Sequence, residues 1–252
     1  PFHVQYGRWL SKVLHGDLGF SKTGKQPVAD LIKNYFPATL ELACAAMVAA
    51  IAVALPLGVF AASRRGRAAD RLARGFALVG VSLPSFWLGP LLILAFSIGL
   101  GWLPVSGRAG PASLVLPAMT LGLGLAALLT RMVRTAVAEE LGRPYVVTAL
   151  ARGLSRRAAL WRHALPNALI PVVTVLGLQF GGLLTGAILT ETIFAWPGLG
   201  RLLIQAIRLR DYPLVQGAVL LIAGIYLLVN LATDLLYTRL DPRVRLGGGQ
   251  PA

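Results

Sequence analysis

Five stretches of this chain, residues 38–62, 76–100, 113–133, 168–190 and 214–237, are almost free of charge and long enough to cross a lipid bilayer. At about 1.5 Å of rise per residue, roughly 20 residues of helix span a hydrocarbon core of about 30 Å. No water reaches that core, so every backbone amide needs an internal partner, and helices supply one. The composition agrees: 56% of the 252 residues are hydrophobic and 13% are charged, about half the charge of a soluble domain. The expected fold class is an all-α membrane protein, a polytopic transmembrane helix bundle with five visible spans.

The charges that remain sort by loop. Fifteen arginines lie in three connections, residues 63–75, the loop after the third span, and the tail. Four (Arg108, Arg201, Arg208 and Arg210) lie in the two connections that alternate with them. The positive-inside bias puts the Arg-rich set in the cytoplasm and explains the net charge of +14 better than nucleic acid does, because the basic residues sit in short blocks between apolar spans. Residues 1–37 then fall outside as a periplasmic segment, with Asp30–Tyr35 a short helix before Pro37. That segment carries Arg8, Lys12, Lys22, Lys25 and Lys33, an exception to the bias. The same parity implies one further span before Pro1. Residues 241–252 read as a cytoplasmic tail.

Pro84, Pro90, Pro117 and Pro171 fall inside spans and predict kinks. Gly177-x-x-x-Gly181 and Gly182-x-x-x-Gly186 put small residues on helix faces that can pack closely in lipid. The single cysteine, Cys44, allows no disulfide framework within the chain.

Residues 140–167 form the longest Arg-rich connection. Pro144 suits a first helical turn. Gly153 permits a left-handed stop after residues 146–152, and Ser155 can cap a second helix. Leu154, Ala158, Trp161 and Leu165 recur at helical spacing, away from Arg156 and Arg157. Two short helices at an angle follow. They are either a docking element or a solvated basic loop touching headgroups.

Val147-Thr148-Ala149, Gly153, and His163-Ala164-Leu165-Pro166 nine positions later resemble the cytoplasmic loop with which ABC importer permeases meet their ATPase. The Thr-Ala and His-x-Leu-x-Asn forms are those of the dipeptide, oligopeptide and nickel branch. Further stretches resemble the same branch. They are Val4–Trp9, Gly16–Gly19, Pro37–Leu42, Ser82–Trp87, Glu191–Gly200, Asp211–Pro213 and Asp241–Arg243. The resemblance implies a type I ABC importer permease with six spans, of which the first is absent here, in the bacterial inner membrane. It implies three kinds of partner besides the lipid bilayer: a second homologous permease, two ABC ATPase subunits, and a periplasmic solute-binding protein. It assigns ATPase coupling to Thr148, Ala149, Gly153, Ser155, Arg156, Arg157, His163, Leu165 and Pro166. No phosphate-loop motif occurs, so ATP would be hydrolysed by the partner subunits, with no cofactor, metal or catalytic residue in this chain. The cargo would be a peptide, nickel or another small solute.

Outside the loop, Gln179 at mid-span either lines a path or bonds a neighbouring helix. Asn230 shares a face with Asp234 four residues on. Asn230 is a candidate for the path, and Asp234 for a pair with Arg239 or a neighbouring arginine. Glu41 and Glu191, at external span ends, read as solvated or paired. His163 has no second histidine near it in sequence, with His3 and His15 on the other side. An ATP-independent channel or secondary carrier is the alternative function.

Overall fold

The computed structural model describes residues 1–240. Asp241–Arg243, Arg245 and the rest of the tail lie outside the described residues. Helix α1 (Phe2–Leu14) leads to a two-residue hairpin, β1 (Phe20–Ser21) and β2 (Gln26–Pro27). Then follow α2 (Val28–Ser63), α3 (Ala68–Ser82), α4 (Ser85–Leu92) and α5 (Pro111–Leu141). Next come the short α6 (Pro144–Ala151) and α7 (Arg156–Ala159), the long α8 (Leu165–Gly186), α9 (Ile188–Ile193), α10 (Leu199–Arg208) and α11 (Tyr212–Leu240). Among the described residues, four helices are long and apolar enough to cross a membrane, and a bent pair makes up to five.

Two boundaries differ from the sequence reading. The helix that carries the first apolar run starts at Val28, ten residues before that run, and passes Pro37 and Pro56 without a break. The hairpin hands the chain to the helix at Val28, whose N–H bonds Gly19 O at 3.0 Å. The short helix expected at Asp30–Tyr35 is therefore the first turns of α2. The second run is not one continuous helix. α3 and α4 meet at 104°, because Leu83 and Pro84 are both extended. Pro84 disfavours helical backbone at the residue before it, so α3 stops there and a new helix starts at Ser85. Past Pro90 the chain widens into π turns over Ile93–Gly99.

Small residues set the packing. α2 and α5 lie parallel and form the centre of the bundle. Ala43, Ala46, Ala50 and Ala54 are buried against Ala126, Leu129 and Val133. A Cβ on Gly122 would stand 2.8 Å from Ala46 O, and one on Gly58 would stand 2.7 Å from Val133 Cβ. In lipid such close approach gains van der Waals contact that apolar bulk alone does not provide. α8 and α11 pack antiparallel, with Gly177 against Thr233 and Gly181 against Tyr226. The second glycine pair serves no such contact at Gly182, which has nothing within 4 Å of a notional Cβ.

These directions sort the loops. The turn after α2, the end of α5, α6, α7 and the last turns of α11 share one end, the Arg-rich one. The hairpin, residues 100–110 and residues 187–211 share the other. Trp196 Nε1 bonds Ala38 O there at 2.8 Å, and Gly107 N bonds Phe194 O at 2.8 Å.

Candidate functional site

At the Arg-rich end the chain makes a rigid elbow. α6 begins on Pro144, whose missing N–H costs nothing in a first turn. It ends in a Schellman motif: Gly153 N bonds Leu150 O at 3.0 Å and Leu154 N bonds Ala149 O at 3.2 Å. That closure needs a left-handed residue, and Gly153 takes φ +92. Ser155 then caps α7, its Oγ accepting from Ala158 N at 3.3 Å. The Thr148 hydroxyl turns back to donate to Pro144 O at 2.9 Å.

The elbow is seated by its small residues. Val146, Ala159 and Ala164 are fully buried in one cluster with Leu141 and Leu150. This corrects the predicted face. Ala159, Leu160, Ala164 and Leu165 are buried, whereas Trp161 is 52% exposed. The cause is a wide π turn over Leu160–Ala164, which shifts the register of an ordinary helix. Pro166, just beyond, has no N–H to offer the preceding turn. Asn167 is anchored beside it, its Nδ2 donating to His163 O at 3.0 Å and to Tyr145 Oη at 3.1 Å. Tyr145 in turn donates to Glu140, so α5, α6 and α8 are tied at one point. His163 contributes its carbonyl to this knot, and its ring is half-buried. Ala149 is half-buried, while Thr148, Ser155, Arg156, Arg157 and Pro166 are exposed, beside the exposed apolar Val147 and Trp161. The open face is thus basic with apolar anchors.

At the same end of the bundle lies an ion cluster that sequence reasoning missed. Asp70, 1% exposed, takes Arg134 Nε at 2.9 Å and Nη2 at 3.1 Å, the N–H of Gly66 at 2.9 Å, and Arg74 at 3.3 Å. It ties the α2–α3 turn to α5. A lone acid among the arginines of residues 63–75 was the available signal.

Gln179 lies on a cleft of about 310 Å³ between α3, α5 and α8, with Gly80, Val81, Gly124, Leu128 and Gly182. Its side chain makes no hydrogen bond to a neighbouring helix among the described residues. A second cleft of about 480 Å³ shares Val81 and runs between α3 and α5 to Arg74, Arg131 and Arg134. Asn230 Oδ1 is buried with no hydrogen-bond partner among the described residues. Asp234 is exposed and makes no ion pair among the described residues, so the expected pair with Arg239 does not form.

The opposite end is closed by two buried carboxylates. Glu191 is fully buried rather than solvated. Its Oε1 accepts from Thr39 Oγ1 at 2.7 Å and its Oε2 from Arg201 N at 3.0 Å, while Leu199 N donates to Thr39 Oγ1 at 2.8 Å. The carboxylate occupies the space where Gly198 has no side chain. Burial pushes its pKa up, opposed by the hydrogen bonds from Thr39 and the amides of Arg201 and Gly200. Glu41 is half-exposed and pairs with Arg108 at 2.6 Å. Asp211, 1% exposed, accepts from Ser21 Oγ at 2.7 Å, Thr23 N at 3.0 Å and the Thr23 hydroxyl. Burial raises its pKa, but those donors and Leu214 N outweigh that and hold it at about 2.

Comparison with known proteins gives consistent matches. Residues 54–246 match the family described as binding-protein-dependent transport system inner membrane component. The chain is 45% identical to the dipeptide transport system permease protein DppB of Escherichia coli K12, covering 97% of this chain and 81% of that one. It is 42% identical to the glutathione transport system permease protein GsiC of Salmonella typhimurium LT2, covering 97% and 80%. Among solved structures it resembles a chain of the MetNI methionine ABC transporter in an inward-facing conformation. The TM-score is 0.69 at 19% identity over 84% of this chain and 96% of that one. A chain of an amino acid ABC transporter gives 0.63 at 18% identity, over 85% and 94%. These two establish the likeness of fold.

Proposed function

Because this chain belongs to the family of binding-protein-dependent transport system inner membrane components, we propose that it forms half of the translocation pathway of an ATP-driven importer for peptide-sized solutes. A second permease completes the pathway, two ATPase subunits drive it, and a periplasmic binding protein delivers the cargo. The Arg-rich end is cytoplasmic. The observation that carries the reading is the elbow: its inner residues are fixed to the bundle and its outer residues are basic and apolar. A transporter needs such an element, because ATP binding can change access only if it acts differently on two states of the bundle. Thr148, Ala149, Gly153, Ser155, Arg156, Arg157, His163, Leu165 and Pro166 shape this elbow. The cleft that holds Gln179 lines the path, and Asn230 offers it a further amide. The named relatives carry a dipeptide and glutathione, so a short peptide is the proposed cargo.

The test is uptake of labelled dipeptide and of glutathione into proteoliposomes holding the assembled importer. Accumulation is expected only with binding protein outside and hydrolysable ATP inside. Uptake without ATP would instead support a channel or a secondary carrier. Uptake of neither probe would contradict the peptide class.

A further inference from the structure

The external end breaks the charge rule that orders the rest of the chain, and the fold sets two of the offending lysines beside two arginines. Asp211 binds the hairpin turn through Ser21 and Thr23, and it sits three residues past the end of α10 at Arg208. Lys22 and Lys25 on the hairpin are thereby brought beside Arg208 and Arg210. All four are exposed, and none makes an ion pair among the described residues. The carboxylate at the centre is saturated by hydroxyls and amides, so it leaves the cations uncompensated. Two of them, Lys25 at φ +51 and Arg210 at φ +54, hold left-handed backbone that non-glycine residues rarely adopt. Such cost is kept where the position of a group matters. Ile207, Leu209 and Tyr212 stand among the cations at 52%, 62% and 67% exposure. The other face of α10 is buried through Leu199, Leu202 and Ala206, which fixes the platform to α2 and α11.

From this we infer that Lys22, Lys25, Arg208 and Arg210 form a docking platform for an acidic face of the solute-binding protein. The inference rests on the importer reading above. Cations set around apolar anchors are the pattern of a protein interface with a charged rim, where charge steers encounter and fixes register. Adsorption to lipid would need no such placement, because headgroups adapt to any basic surface.

The experiment uses the assembled importer in proteoliposomes and measures ATP hydrolysis against the concentration of its binding protein. Lys22→Glu, Lys25→Glu, Arg208→Glu and Arg210→Glu are combined in one variant. The half-saturating concentration is expected to rise about ten-fold or more. A matching set of glutamine substitutions, milder for folding, is expected to fall between. Raising salt from about 50 to about 500 mM should weaken wild type more than the glutamine set, because screening acts only on charges that are present. Co-purification with the ATPase subunits checks assembly. An unaltered half-saturating concentration in both variants overturns the inference and leaves the importer reading standing. So does a defect that vanishes in vesicles of neutral lipid, which would assign the platform to the membrane surface. A wild-type importer that ignores its binding protein would overturn the importer reading itself.

Discussion

Replacing Gly153 with valine is expected to abolish ATP-driven uptake, by more than ten-fold, while the protein stays inserted. The position is open: a Cβ there would meet nothing within 4 Å. The constraint is therefore the backbone alone. At φ +92 a side chain of L configuration is strained, by about 1–3 kcal/mol, and a β-branched one more than alanine. Relief of that strain reopens the Schellman closure and swings α7 away from the direction set by α6. Proline at 153 is expected to be worse, since it fixes φ near −65° and removes the N–H that bonds Leu150 O. Alanine should fall between glycine and valine. Arg156, an exposed charge, should matter less, at about 1 kcal/mol or under. Uptake and ATPase co-purification, measured side by side for the four variants, check the order. Normal uptake with valine would remove the elbow from the coupling path.

Replacing Glu191 with alanine is expected to loosen the opposite end. It strands the hydroxyl of Thr39 and the amides of Arg201 and Gly200, donors that are buried or half-buried. Leaving such groups unmatched costs about 1–3 kcal/mol each, so a fall of at least about 6 °C in the thermal midpoint in detergent follows. Glutamine keeps one acceptor and turns an amide group toward donors, so it should cost less than alanine and more than nothing. The pH dependence has a definite sign. Because the folded pKa of Glu191 lies above its ordinary 4.5, its contribution is complete below that value and is lost as pH rises through the shifted one. Wild type should therefore lose stability across the range above pH 4.5, and the glutamine variant should show a flatter profile there. An identical profile for both, or an unshifted midpoint for alanine, would contradict the role given to this carboxylate.

What could be read from the sequence was whatever short-range rules govern. Length and apolarity mark the spans, and Pro144, Gly153 and Ser155 each act within one helical turn, so the elbow was legible as two short helices with a left-handed stop. Features that depend on distant partners were not. Glu191 looks solvated at a span end until Thr39, 152 positions away, is brought to it. Asp70 looks like one more loop charge until Arg134 reaches it from α5. Trp161 falls on the packed face of an ideal helix, and only the π turn before Pro166 rotates it outward. The prolines acted unequally: Pro117 and Pro171, expected to kink their spans, lie inside continuous helices. Pro37, read as the stop of a short helix, also passes inside a continuous helix. Pro84, preceded by an extended Leu83, turns the chain by 104°.

The most direct test of the central claim is a cross-link from the elbow to an ATPase subunit. A cysteine at the exposed Arg156, in a Cys44→Ser background, carries a short bifunctional reagent in the assembled importer. An adduct of permease plus ATPase subunit is expected, with a yield that changes when ATP is bound, and none is expected from a cysteine at Arg208 on the opposite end. Absence of the adduct at Arg156, or its appearance from Arg208 instead, would contradict the account.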